Sequence, residues 1–432
     1  MRQTGTGLVR AIGRWSLVAL VVNSIIGSGV FGLPGVLAGL LGRGSVVAVV
    51  LAGAGAAVIM SCFAEVASQF GESGGPYLYV RTAFGRLLGI QTGWLLWLSQ
   101  SASPAANANL FVIYLAEFWP HARDPLPRFI LLTALIGGFG WINIRGVQLG
   151  TRLNNVSTIA KLAPLLGIAL AGLTVAALRH FPMGVAAPDT PDWPKGLLLC
   201  VFAYGGFESA LMPLREATNP RRDTPFALLT AVFGCTLLYA AIQYVVVALL
   251  PATVHSERPL AEVARVIFGP AGAAVVALGA LLSVLGYLGA KLLGVPRVMF
   301  ALAEQGDFPA VFGRVHPRFH TPAVSIAVFM VFTWVLALVG SFAWNVTLSA
   351  VPRLFCYAMV CGALPVLRRK QPGAAQFRLP AGVFFAVVGT VLCLGLVTRA
   401  DFSKSLIVGG IVLIGLVNWA WARWGRSAEA EM

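Results

Sequence analysis

The chain has 432 residues, of which 58% are apolar and only 11% charged, with a formal charge of +15 at pH 7; a soluble domain carries about 25% charge. So few charged side chains cannot cover a water-facing surface of this size, which excludes a soluble enzyme, a fibrous protein and a secreted disulfide scaffold. The basic excess sits at the ends of apolar runs and not in a patch, so it points to a lipid bilayer and not to a nucleic acid.

A membrane span needs about 20 mostly apolar residues. In chain order the runs predict helices near 15–40, 45–69, 86–118, 127–145, 153–178, 195–216, 225–251, 268–302, 321–340, 343–367, 380–398 and 404–424. This is an all-α polytopic membrane protein with twelve transmembrane helices. Residues 1–14 form a short basic tail with no cleavable signal peptide, and residues 425–432 a second tail. An even number of spans puts both tails on one side. The loops of that side hold eighteen Lys and Arg against nine on the other, so both termini are expected in the cytoplasm of a plasma (inner) membrane protein. The six cysteines lie inside apolar runs and read as packed thiols. The five histidines lie in loops, with no HExxH and no Gly-rich phosphate loop; no enzyme, metal or cofactor is expected.

Two spans carry breaks. The first reads Asn23-Ser-Ile-Ile-Gly27-Ser28-Gly29-Val30-Phe31-Gly32-Leu-Pro34, and the sixth reads Phe202-Ala203-Tyr204-Gly205-Gly206-Phe207-Glu208-Ser209, with Pro213 beyond it. Glycines weaken a helix and a proline removes a backbone donor. In lipid, unwound backbone survives only where protein or a water-filled cavity surrounds it. The glycines could serve helix packing, but paired breaks at matching positions of two halves point to a transporter's binding site. Gly27 and Gly205 lie five predicted spans apart, so residues 15–178 and 195–367 read as two inverted repeats of five helices, with helices eleven and twelve in 380–424.

The stretch Gly27 to Pro34 resembles the first-helix motif of the amino acid–polyamine–organocation permeases. Glu65 to Tyr77 through Ala83-Phe84-Gly85 is similar to their second-helix end and the loop behind it. Phe202 to Pro225, Gly294 to Pro309 and Ala363 to Arg369 resemble further motifs of that family, in order, over roughly positions 15 to 400. The resemblance implies twelve helices in a five-plus-five inverted repeat. It also implies amino acid substrates, exchanged or moved with protons and gripped at the two broken helices. Physics supports that grip separately. The half-helix after the first break offers the amides of Ser28, Gly29 and Val30 and a positive dipole end to a carboxylate. Carbonyls around Ala203 to Gly206 can accept from the α-ammonium, and side chains in place of the glycines would block the approach.

Ionisable groups inside a bilayer cost about 2.5–3.5 kcal/mol each on insertion scales. By resemblance, Lys161 in the fifth helix is a built-in cation that replaces sodium and tethers the first helix; otherwise it snorkels to the headgroups. Glu208 either carries a coupling proton, as the acidic residue of the family's antiporters suggests, or accepts backbone donors freed by the break. Lys291 departs from the small or polar residue the family leads one to expect. Facing the cavity it would pair with Glu208 or an acidic substrate and repel a cation; facing a helix it would be structural. Arg297 and Arg353 are expected near the inner ends of their helices, and Glu65 as partner of a cytoplasmic-side basic group. Ser99, Gln100, Ser103 and Asn107 form one stripe on the third helix, read either as a side-chain pocket or as interhelical hydrogen bonding. By resemblance alone, Phe202 is an aromatic gate.

The sequence thus predicts a sodium-independent permease for amino acids, neutral in view of Lys161 and Lys291, working as a proton symporter or exchanger, monomeric or homodimeric. Within the class the alternative is a cationic amino acid or polyamine exchanger. From another class it is a membrane amino acid sensor, which would carry a signalling extension that the stretch after Trp424 lacks. A channel is disfavoured because no ring-forming filter sequence is present.

Overall fold

The computed structural model describes residues 13–70, 75–146, 151–178, 190–211, 219–250, 256–304 and 306–430. Among them the regular structure is helical, with no strand. The helices are α1 (Arg14–Ile25), α2 (Gly29–Leu41), α3 (Gly44–Ser68), α4 (Gly75–Phe84), α5 (Arg86–Leu115), α6 (Pro125–Ile144), α7 (Thr151–Leu178) and α8 (Trp193–Tyr204). They continue with α9 (Phe207–Ala210), α10 (Pro220–Leu249), α11 (Pro259–Glu304), α12 (Ala323–Val339), α13 (Phe342–Lys370), α14 (Gly382–Val397) and α15 (Phe402–Ala430). Among the described residues, seven helices are long and apolar enough to cross a membrane, and α1 with α2, bent by 49°, makes an eighth as one broken span. The helices α12 and α14 are apolar but shorter. Helices α14 and α15 expose Val383, Val387, Val391, Leu406, Leu413 and Val417, apolar side chains suited to lipid. The chain is a polytopic membrane protein.

Two boundaries differ from the sequence reading. Gly75–Phe84, taken as loop, is a helix, α4. The eighth predicted helix begins earlier, at Pro259, because a kink at Gly269 (φ 72°) joins the preceding helical segment to it. The sixth is interrupted at Gly205 and Gly206, as expected, and resumes as α9; Pro213 and the Glu216 motif lie outside the described residues. Local chemistry explains several starts. Asp192 accepts the Lys195 amide at 3.1 Å and Ser341 the Trp344 amide at 3.3 Å, each capping a first turn.

Helix α5 is buried over most of its length and packs on α13 and α11. Ion pairs fasten the helix ends around it. Glu65 of α3 accepts Arg368 of α13 through Nε (2.6 Å) and Nη2 (2.7 Å), and also the Leu379 amide. Asp307, beyond α11, pairs with Arg86 at 2.6 Å and Arg81 at 3.1 Å and accepts the Tyr77 hydroxyl. Burial, and then the adjacent Asp307 carboxylate, raises the Tyr77 pKa above the ordinary phenol range, so Tyr77 stays a donor. All six cysteines are buried and unpaired.

Candidate functional site

The first break covers Ile26, Gly27 and Ser28. Phe31 and Gly32 donate to the Ser28 carbonyl (3.0 and 3.1 Å), but the amides of Gly27, Ser28, Gly29 and Val30 find no backbone acceptor among the described residues. These are the orphan donors at the start of a helix, and α2 follows them for thirteen residues. Gly29 has a packing reason as well. A Cβ there would lie 3.1 Å from the Ala203 Cα and 3.4 Å from the Phe202 ring, so the missing side chain lets α2 close on α8. Here the glycine serves helix approach beside the substrate approach that the sequence reading gave it.

The second break turns at Gly206, whose φ of 104° is left-handed, a region that glycine enters freely. A Cβ at Gly206 would also strike the Ser24 carbonyl oxygen of α1. The carbonyls are less free than the sequence suggested. Phe202 accepts the Gly205 amide, Gly206 accepts the Ser209 amide and Ala203 faces Tyr239. The carbonyls of Tyr204 and Gly205 accept no hydrogen bond from the described residues.

Two buried groups, one of them outside the sequence reading, hold the end of α1. The Tyr239 hydroxyl of α10 sits 3.2 Å from the Ile25 carbonyl and 3.3 Å from that of Ala203, bridging α1 and α8. Lys161 of α7 donates to the carbonyls of Asn23 (2.9 Å) and Ile26 (2.7 Å). It therefore caps the end of α1 and does not reach for headgroups.

Behind the second break lies a buried ionic cluster. Glu208 accepts the Gly206 amide at 2.9 Å and the Tyr357 hydroxyl at 2.8 Å through one oxygen. Its other oxygen faces the Nε of Arg353 at 3.2 Å. Arg353 is not near the inner end of its helix, as expected, but eleven residues into α13, which crosses beside α8. Lys291 faces helices: it donates to Gln100 of α5 at 3.0 Å and to Ser209 at 2.6 Å. Arg297 is exposed on α11.

A cavity of about 20 Å3 lies between the breaks, lined by Gly27, Ser28, Gly29, Phe202 and Gly205 from the predicted set, with Ser103 and Asn107 of α5. The predicted stripe on α5 therefore divides. Ser103 shares a 2.5 Å hydrogen bond with Tyr287 at the cavity, whereas Ser99 donates to the Ser349 carbonyl at 2.8 Å and Gln100 accepts from Lys291. Val30, Ala203 and Tyr204 are buried beside the cavity without lining it; Tyr204 donates to the Val49 carbonyl. Sequence reasoning missed Ser24, Ile25, Tyr287 and Arg353 as lining residues. For Tyr287 the signal was present, one turn before Lys291 in a polar patch of an apolar helix.

Comparison with known proteins shows the family. The amino acid permease family model matches residues 12–417, nearly the whole chain. The chain belongs to the amino acid permease family. The permease is 27% identical to the methylthioribose transporter of Bacillus subtilis (strain 168), over 95% of this chain and 91% of that protein. It is 26% identical to the serine/threonine exchanger SteT of the same organism, over 97% of each chain. It is also 26% identical to the branched-chain amino acid permease BcaP of that organism, over 95% of this chain and 92% of that one. The permease is thus an integral membrane protein of a family built for amino acid transport.

Proposed function

We propose that the permease is a sodium-independent secondary transporter of neutral L-amino acids. It works by alternating access, as a proton symporter or an amino acid exchanger, with twelve spans in a five-plus-five inverted repeat and both termini cytoplasmic. The observation that carries the reading is the run of unpaired amides from Gly27 to Val30, of which Gly27, Ser28 and Gly29 line a cavity shared with the second break. They offer a carboxylate site at the start of α2, while the Tyr204 and Gly205 carbonyls suit an α-ammonium. A cavity of about 20 Å3 holds little more than a water, so binding requires the broken helices to part, as alternating access demands.

Neutral side chains are favoured by charge. Lys161 at the first break and Arg353 in the cavity wall stand against the Glu208 carboxylate, so a cationic side chain would be repelled. The relatives' names do not decide the side chain, since they span serine and threonine, branched-chain and cationic amino acids. Glu208 takes the structural role, since its oxygens already serve Gly206, Tyr357 and Arg353. Lys161 takes the place of a sodium ion by offering an ammonium to the Asn23 and Ile26 carbonyls.

Equilibrium binding tests the grip. Amidating the carboxylate or acetylating the amine of a transported amino acid should each weaken binding at least about tenfold, the loss expected for hydrogen bonds to a charged group. Equal binding of the amide would contradict the assignment of the α2 amides. Lys161→Ala should abolish sodium-free counterflow in proteoliposomes while the protein still inserts and purifies as a folded species. Full activity of that variant would remove Lys161 from the transport cycle.

A further inference from the structure

Arg353 is 2% exposed, lies in the cavity wall and carries five N–H donors that cannot be neutralised by losing a proton. Its Nε is buried without a hydrogen-bond partner among the described residues, and its Nη1 packs against Gly205 at the cavity. The Nε lies 3.2 Å from Glu208, yet its N–H is not aimed at that oxygen, and both atoms are without a hydrogen bond. Buried polar groups in folded proteins are satisfied in the great majority of cases, and an unsatisfied one calls for an explanation. The same cavity holds two further orphans, the Ser28 hydroxyl and the Asn107 side-chain carbonyl. By contrast Ser103 and Tyr287 satisfy each other, and Lys291 is satisfied by Gln100 and Ser209. The unmet demand is thus concentrated on Arg353 and is for an acceptor.

We infer that Arg353 is a specificity-determining residue whose guanidinium donors receive an oxygen acceptor on the side chain of the bound amino acid. The inference rests on the amino acid site proposed above. With the carboxylate on the α2 amides and the ammonium on the Tyr204 and Gly205 carbonyls, only the substrate side chain remains to meet Arg353. That acceptor is a neutral oxygen. The charge of Arg353 is already balanced by Glu208, so a side-chain carboxylate would add a second negative charge beside that glutamate, whereas a hydroxyl or amide oxygen adds none. The Asn107 side-chain carbonyl or the Ser28 hydroxyl oxygen can then accept the hydrogen of the same hydroxyl or amide. The substrate class is polar, uncharged amino acids: serine, threonine, asparagine and glutamine, ahead of valine, leucine and isoleucine.

Competition in proteoliposomes tests this. Labelled serine uptake should be inhibited by serine, threonine, asparagine and glutamine at concentrations at least about tenfold lower than by valine, leucine or isoleucine, because a site built for a polar group rejects analogues that lack it. Removing Arg353 alone would strand Glu208, so the test variant is Arg353→Gln combined with Glu208→Gln, which keeps the pair neutral. In it the preference should shrink to within about threefold. Should that variant not transport, thermal stabilisation of the wild type and of Arg353→Lys by the same amino acids in detergent reads the same preference. The wild type should be stabilised by the polar set, and the lysine variant, without the guanidinium fork, should lose the distinction. Aliphatic amino acids competing as well as polar ones in the wild type, or a preference retained in the variants, would overturn the inference while leaving the amino acid site intact. If no amino acid of any class binds or is carried, the site itself is wrong, and the role of Arg353 falls with it.

Discussion

Glu208→Ala is expected to destabilise the permease by about 3–5 kcal/mol, the loss seen when one partner of a buried ion pair is removed. Glu208 and Arg353 are 1% and 2% exposed, so neither can turn to water. The truncation would leave the Arg353 guanidinium without its countercharge and strip the Gly206 amide and Tyr357 hydroxyl of their shared acceptor. Gly206 is the turning point of the second break, so the damage falls where α8 meets α9. Glu208→Gln keeps an acceptor for both hydrogen bonds and should lose clearly less than the alanine variant. Thermal unfolding in detergent and the yield of folded protein would measure both. An alanine variant as stable as the wild type would mean that the pair is not closed in the folded protein.

The second large effect is expected at Gly29. A leucine there would drive its side chain into the Ala203 backbone and the Phe202 ring, where a Cβ alone already lies at 3.1 and 3.4 Å. Helices α2 and α8 would be pushed apart, and the unpaired amides of Gly27, Ser28 and Gly29 would leave the cavity. Substrate binding should be lost. Gly29→Ala asks the neighbours to yield by only a few tenths of an ångström, so it should keep measurable binding at reduced affinity. Unchanged affinity in Gly29→Leu would contradict the carboxylate grip. The comparison separates this from simple misfolding, because the alanine variant preserves the fold and grades the effect.

Much of the architecture was readable in the chain because lipid demands long apolar runs. The two breaks were readable because Gly27, Gly29, Gly205 and Gly206 stand where lipid-facing helices should be continuous. What the sequence hid was rotation. A helix buried on all sides has no polar face to set its phase, and α13 is such a helix, buried from Asn345 through Leu354. Nothing in that run announces that Arg353 turns to the cavity and Glu208. Lys291 posed the same problem on α11, and only the packing shows it directed at Gln100 and Ser209. Tyr239 was missed for a related reason: its role depends on two carbonyls freed by breaks 36 and 214 residues away in sequence. Helix α4 was obscured by Gly75 and Pro76, which read as loop but open a helix, where proline is tolerated in the first turn.

The most direct test is uptake of labelled neutral, cationic and acidic amino acids by proteoliposomes, each with and without a sodium gradient, a pH gradient and internal amino acid. Neutral uptake that is indifferent to sodium is the predicted result, and its response to the other two conditions distinguishes symport from exchange. Uptake that requires sodium, or that is confined to cationic amino acids, would contradict both the role of Lys161 and the electropositive site.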